Sequence, residues 1–124
     1  EKVKYCVVQS VPYEEYIKLY NSCHIFLDQV FFEDKGYNGL LGMAAGKVVF
    51  SGFYEKALKE YPYYDGEAIG VDVSRDEEDM YLKFKQLIEM PSNIETISAN
   101  AINFVKRNHI SPVVADMYLN IWNE

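Results

Sequence analysis

Short apolar runs rich in β-branched residues alternate with stretches of helical periodicity from Tyr5 to Glu89, and this alternation is what most restricts the fold. The runs cover residues 5–8, 25–28, 47–50 and 68–71. None of them alternates apolar with polar positions, as a strand with one wet face would. Uninterrupted runs of this kind predict strands covered on both faces, the mark of a parallel sheet in an α/β protein. Right-handed crossovers would make it a doubly wound sheet of about four strands with helices on both faces.

Apolar spacing predicts helices over 13–21, 38–45, 55–61, 75–89 and 93–108. Gly46 stands where a helix stops, and Ser74 with Glu77 has the spacing of a capping box. Ser111 and Pro112 open a last helix, expected to turn Val114, Met117, Tyr118, Ile121 and Trp122 inward. The expected core holds Val7, Ile25, Leu27, Met43, Val49, Phe84, Leu87 and Phe104. With no repeat and no linker, the 124 residues read as a single α/β domain, 1–124, closed by two C-terminal helices.

Composition narrows the function. The chain is 49% hydrophobic and 25% charged, which excludes disorder as its overall class. Its net charge of -7 lacks the basic footprint that nucleic acid requires, so no nucleic-acid partner is expected. Cys6 and Cys23 read as buried free thiols of a reducing, cytoplasmic compartment. No apolar run approaches the ~20 residues of a membrane span. The chain opens Glu1-Lys2-Val3-Lys4 without methionine, so it is expected to begin inside a larger protein.

Ligands of wound parallel sheets sit at the C-terminal ends of the strands. That directs attention to the loops 9–12, 28–37 and 51–54. The run from Asp34 through Lys35, Gly36, Tyr37, Asn38 and Gly39 to Gly42 is the richest in small residues at a predicted strand-to-helix step. A helix N-terminus reached through glycines offers N–H donors and partial positive charge to a phosphate. The same small residues would also let the helix lie close on the sheet, and spacing alone leaves both readings open. The glycines fit neither dinucleotide nor P-loop spacing.

Other features have plainer explanations. Tyr61-Pro62-Tyr63-Tyr64 reads as an aromatic cluster at the sheet's edge before it reads as a sugar platform. His24 and His109 lack partners at metal-ligand spacing, and no metal or cofactor is expected. The acids among residues 72–79 suit a helix N-terminus. A receiver-type signalling domain would need paired acids after its first strand, where Gln9 and Ser10 stand.

Read from Tyr20-Asn21-Ser22-Cys23-His24-Ile25-Phe26-Leu27-Asp28 to Met43-Ala44-Ala45-Gly46-Lys47-Val48-Val49, the chain resembles the C-terminal domain of GT-B glycosyltransferases of the group-1 family. That family has a helix, a strand, a loop and a Gly-Phe/Tyr-Gly helix start, followed by Glu-Ala-Met-Ala-x-Gly-Lys-Pro-Val-Val. Residues 68–72 resemble its next strand, the helix from Arg75 its "Asp-x-Glu-x-Leu" helix, and residues 93–122 its closing helices. The resemblance covers nearly the whole chain.

It implies a Rossmann-like sheet and the donor-binding part of an enzyme that moves a sugar from a nucleotide-sugar to a glycan or lipid-linked acceptor. It further implies an acceptor-binding domain N-terminal to this chain, peripheral membrane association of the intact enzyme, and no activity in the isolated chain. The family's two glutamates, which flank seven residues, are matched here to Asp34 and Gly42, the second having no side chain. The substrate-binding set is therefore Asp34, Lys35, Gly36, Tyr37, Asn38, Gly39 and Gly42. Gln9 and Pro12 are expected at the edge of the base. No residue is assigned a catalytic role. The alternative is a non-catalytic phosphate- or nucleotide-binding or protein-interaction α/β module.

Overall fold

The strand Val48–Ser51 is buried at every position, and it holds the middle of a three-stranded parallel sheet. The computed structural model describes residues 3–124. Its elements are α1 (Tyr13–Ser22), β1 (Ile25–Leu27), α2 (Tyr37–Ala44), β2 (Val48–Ser51) and α3 (Glu55–Leu58), then β3 (Val71–Asp72), α4 (Glu77–Glu89), α5 (Pro91–Asn108) and α6 (Ser111–Trp122). β1 pairs with β2 from Ile25↔Val48 to Leu27↔Phe50, and β2 pairs with β3 at Phe50↔Val71 and Ser51↔Asp72.

Period-two geometry divides the core in two. Val49 faces Met43 of α2, Leu58 of α3, and Ala101 and Phe104 of α5. Val48 and Phe50 face the other way, toward Leu87 of α4. There the rings of Phe50 and Phe84 stack with centroids 4.3 Å apart. Helices thus cover both faces of an α/β domain. The strand order β1-β2-β3 does not reverse, because both crossover helices, α2 and α3, pack on the Val49 face.

Several expectations need correction. Residues 5–8 form no strand, and Val7 is 90% exposed. A preference for strand is a preference for a pleated surface with a ladder partner, and here residues 3–8 only line a cavity beside β1. β1 is consequently an edge strand, and Leu27 is exposed rather than in the core. Met43, Val49, Leu87 and Phe104 are buried as expected, whereas Ile25 and Phe84 are half-buried.

The third strand occupies Val71–Asp72 instead of 68–71. The Phe53 ring lies against Gly70, where an added Cβ would come within 2.3 Å of it. α3 stops at Leu58, and α5 starts at Pro91, with proline in its first turn. α4 is capped by Asp76, whose Oδ1 accepts from Asp79 N–H at 2.7 Å; Ser74 Oγ accepts from Asp76 N–H instead of closing a box with Glu77.

α6 packs on α5, and its remaining apolar side lies open: Tyr118, Ile121 and Trp122 are all exposed. Gly46 does end α2, at a φ of +74° that favours glycine. Both cysteines are free, with Cys6 exposed and Cys23 half-buried. Among the described residues no helix is long and apolar enough to cross a membrane.

Candidate functional site

Each strand ends on a polar side chain: Asp28 just after β1, Ser51 in β2 and Asp72 in β3. Parallel pairing brings these ends to one edge of the sheet. Ser51, fully buried, donates its hydroxyl to Asp28 Oδ2 at 2.8 Å. The same oxygen accepts from Gly36 N–H at 3.1 Å, at the start of α2. Asp72 Oδ1 accepts from Phe53 N–H at 2.9 Å.

The loop after β1 is shaped by Gln29. Its Oε1 accepts from the N–H groups of Phe31 and Phe32, and its Nε2 donates to the Asp34 carbonyl at 2.9 Å. Asp34 forms an antiparallel bridge with Phe53, and Tyr54 N–H donates to the Glu33 carbonyl at 3.1 Å. Gly52 permits this closeness: a Cβ there would lie 2.2 Å from the Phe32 carbonyl oxygen.

α2 begins at this edge with no side-chain cap, so the N–H groups of its first turn open toward it. Gly39 and Gly42 are both buried. A Cβ on Gly39 would lie 2.8 Å from Asp28 Oδ2, and one on Gly42 would meet Val49 at 2.9 Å and the Tyr20 hydroxyl at 3.0 Å. These two glycines let α2 approach the sheet, which is the packing reading of the two left open by spacing. Tyr37 is exposed, as is Asn38, whose carbonyl accepts from the Tyr20 hydroxyl at 3.2 Å. Burial pushes the Tyr20 phenol up to about 12, with smaller contributions from Tyr16, Cys23 and Asp28.

Of the site residues expected from sequence, Asp34, Lys35, Gly36, Tyr37, Asn38 and Gly39 are brought to this edge by the loop and α2. Their side chains do different things. Asp34 is exposed, and its Oδ1 accepts from its neighbour's N–H and from Lys35 Nζ at 3.2 Å. The Lys35 side chain is only 2% exposed and turns inward, where Nζ donates to the Tyr61 hydroxyl at 3.0 Å. Gln9 and Pro12 precede α1 rather than closing a strand, because residues 5–8 join no ladder; both are exposed.

Gly42 faces Val49 and the Tyr20 hydroxyl. Leu41 and Glu33 are both exposed, unlike Gly42.

Tyr61 and Tyr64 pack edge-on against Phe104, with centroids 5.2 Å and 6.0 Å away, so they belong to the core's margin. His109 completes this aromatic group. Burial lowers its pKa from the usual imidazole value, and the Lys35 ammonium acts in the same direction. Among the described residues no group of three or more His, Cys, Asp or Glu side chains is placed to hold a metal.

Compared with known proteins, the chain matches no family model, no curated protein and no solved structure.

Proposed function

We propose that this chain is the donor-binding part of a GT-B glycosyltransferase of the group-1 type, built on a Rossmann-like sheet. The observation that carries the reading is the run from Gly36 to Val49, whose Met-Ala-x-Gly-Lys signature lies on a strand–helix–strand unit with its helix start at the C-terminal edge of the sheet. In this reading the diphosphate of a nucleotide-sugar lies against the first turn of α2, beside Gly36, Tyr37 and Asn38, where N–H groups and the helix dipole favour an anion. Asp34 faces the sugar hydroxyls, or Glu33 does when the family's Met-Ala-x-Gly-Lys is aligned on Met43 to Lys47, which sets its two glutamates on Glu33 and Leu41.

The reaction is transfer of the sugar to a glycan or lipid-linked acceptor. It takes place in the cytoplasm, with an acceptor-binding domain preceding this one and a membrane surface nearby. The isolated chain does not turn over, because holding donor and acceptor together supplies up to about 7–11 kcal/mol of the rate.

A second reading has its own observation. Asp28 already sets a carboxylate against the start of α2, 3.1 Å from Gly36 N–H, so an anion arriving there meets like charge. This favours an α/β module that binds a protein instead of a phosphate.

Calorimetry separates the two. Saturable binding of a nucleoside diphosphate or nucleotide-sugar by the folded chain, without turnover, is the expected result. A folded chain that binds no nucleoside diphosphate at millimolar concentration sinks the transferase reading.

A further inference from the structure

Lys35 sends a cation into an aromatic enclosure. Its Nζ lies 4.3 Å from the Tyr61 ring centroid and 5.3 Å from that of Phe104, a cation–π arrangement. The Tyr61 hydroxyl and one Asp34 oxygen complete its partners. His109, just after α5, packs against the same two rings, with centroids 5.2 Å from Tyr61 and 5.5 Å from Phe104. Its Nε2 is buried and has no hydrogen-bond partner among the described residues. One ammonium and one imidazole therefore share an enclosure whose walls are apolar.

We propose that Lys35 and His109 form a pH-sensitive latch: neutral His109 lets Lys35 hold the loop 28–36 on the α5–α6 junction, and protonation of His109 releases it. The loop supplies the two charges facing His109, Lys35 and Asp34. Tyr61, after α3, contributes a hydroxyl that accepts from Lys35, and Phe104 of α5 contributes only a ring. Arg107, nearby on α5, is engaged by Asp65 and Glu67. A proton on His109 sets a second cation beside Lys35 in a place with little water, and the single carboxylate of Asp34, half exposed, offsets only part of that repulsion. The easiest relief is for the loop to leave, since Lys35 is carried by it. The loop also bears Asp34 and Gly36, so its release opens the candidate site whatever ligand that site takes.

Hydrogen exchange on the chain reads the latch directly. The Tyr54 amide, which donates to Glu33 in the loop, reports docking; the Val48 amide, which donates to His24 at the start of the sheet, reports global stability. As pH is lowered from about 7.5 to about 4.5, a window carried well below the ordinary imidazole value because burial and the Lys35 ammonium lower that of His109, the Tyr54 protection factor is expected to fall several-fold while that of Val48 holds. In His109→Gln the fall disappears, and in Lys35→Met it shrinks. A Tyr54 protection factor that stays flat in the unmodified chain, or falls equally in His109→Gln, overturns the latch. Should His109→Gln fail to fold, the imidazole is followed by NMR in the unmodified chain. A midpoint matching the loss of protection upholds the latch, and a different midpoint overturns it.

Discussion

Ser51 and Asp28 are 23 positions apart in sequence, and a 2.8 Å hydrogen bond joins them across the ends of β2 and β1. Through the same carboxylate oxygen the bond continues to Gly36 and fixes where α2 starts. One side chain thus ties two strands and a helix at the edge where the candidate site lies.

Ser51→Ala removes the hydroxyl from this junction and leaves Asp28 with Gly36 as its remaining partner. A hydrogen bond to a charged group contributes about 1.5–3 kcal/mol. Urea unfolding should show a loss of that order, with the m-value unchanged. A stability equal to that of the parent chain would mean that the junction contributes nothing.

Gly42→Ala should destabilise by about 1–3 kcal/mol, the usual cost of overpacking. The new methyl meets Val49 and the Tyr20 hydroxyl, and either side chain must move. Gly52→Ala should be worse, since what it meets is the backbone of Phe32 to Asp34, which has less freedom to yield. Thermal melts of the two variants check the order; equal melting temperatures would contradict it.

Tyr20 makes stability depend on alkaline pH. Its pKa is raised from 10.0 to about 12 in the fold, so the unfolded chain loses that proton first. Between these values the unfolded state binds fewer protons than the folded one, and stability falls as pH rises. Below 10.0 this contribution is constant. Tyr20→Phe should flatten that part of the stability profile, at a cost of under about 1 kcal/mol for the lost bond to Asn38. An unchanged slope would assign the effect to other tyrosines.

Trp122, the single tryptophan, is 87% exposed on α6. Its fluorescence should be quenched by acrylamide as readily as that of a free indole. Trp122→Ala should shift stability by no more than about 0.5 kcal/mol. Phe104→Ala, which empties the centre of the Val49-side core, should cost about 3–5 kcal/mol. A blue-shifted, protected Trp122 would show α6 covered on its open side.

Sequence by itself determined which segments take which backbone form wherever the signal is local. Helical spacing from Tyr13 onward, Gly46 after α2, Pro112 in a first turn, and the runs of β1 and β2 act within a few residues, and the fold keeps them. The site loop was legible for the same reason, since glycines and Asn38 mark a strand-to-helix step. Tertiary structure alone decided what depends on a distant partner. Residues 5–8 have strand chemistry but no ladder, so they form no strand. Leu27 and Ile121 have core chemistry but no layer above them, so they stay exposed. Lys35 reads as one of the substrate-binding set, yet Tyr61 and Phe104, 26 and 69 positions later, draw its side chain inward. Gly42 reads as a lost carboxylate until Val49 and Tyr20 close on it. Local preference sets φ and ψ; burial and direction belong to whichever surface the rest of the chain brings near.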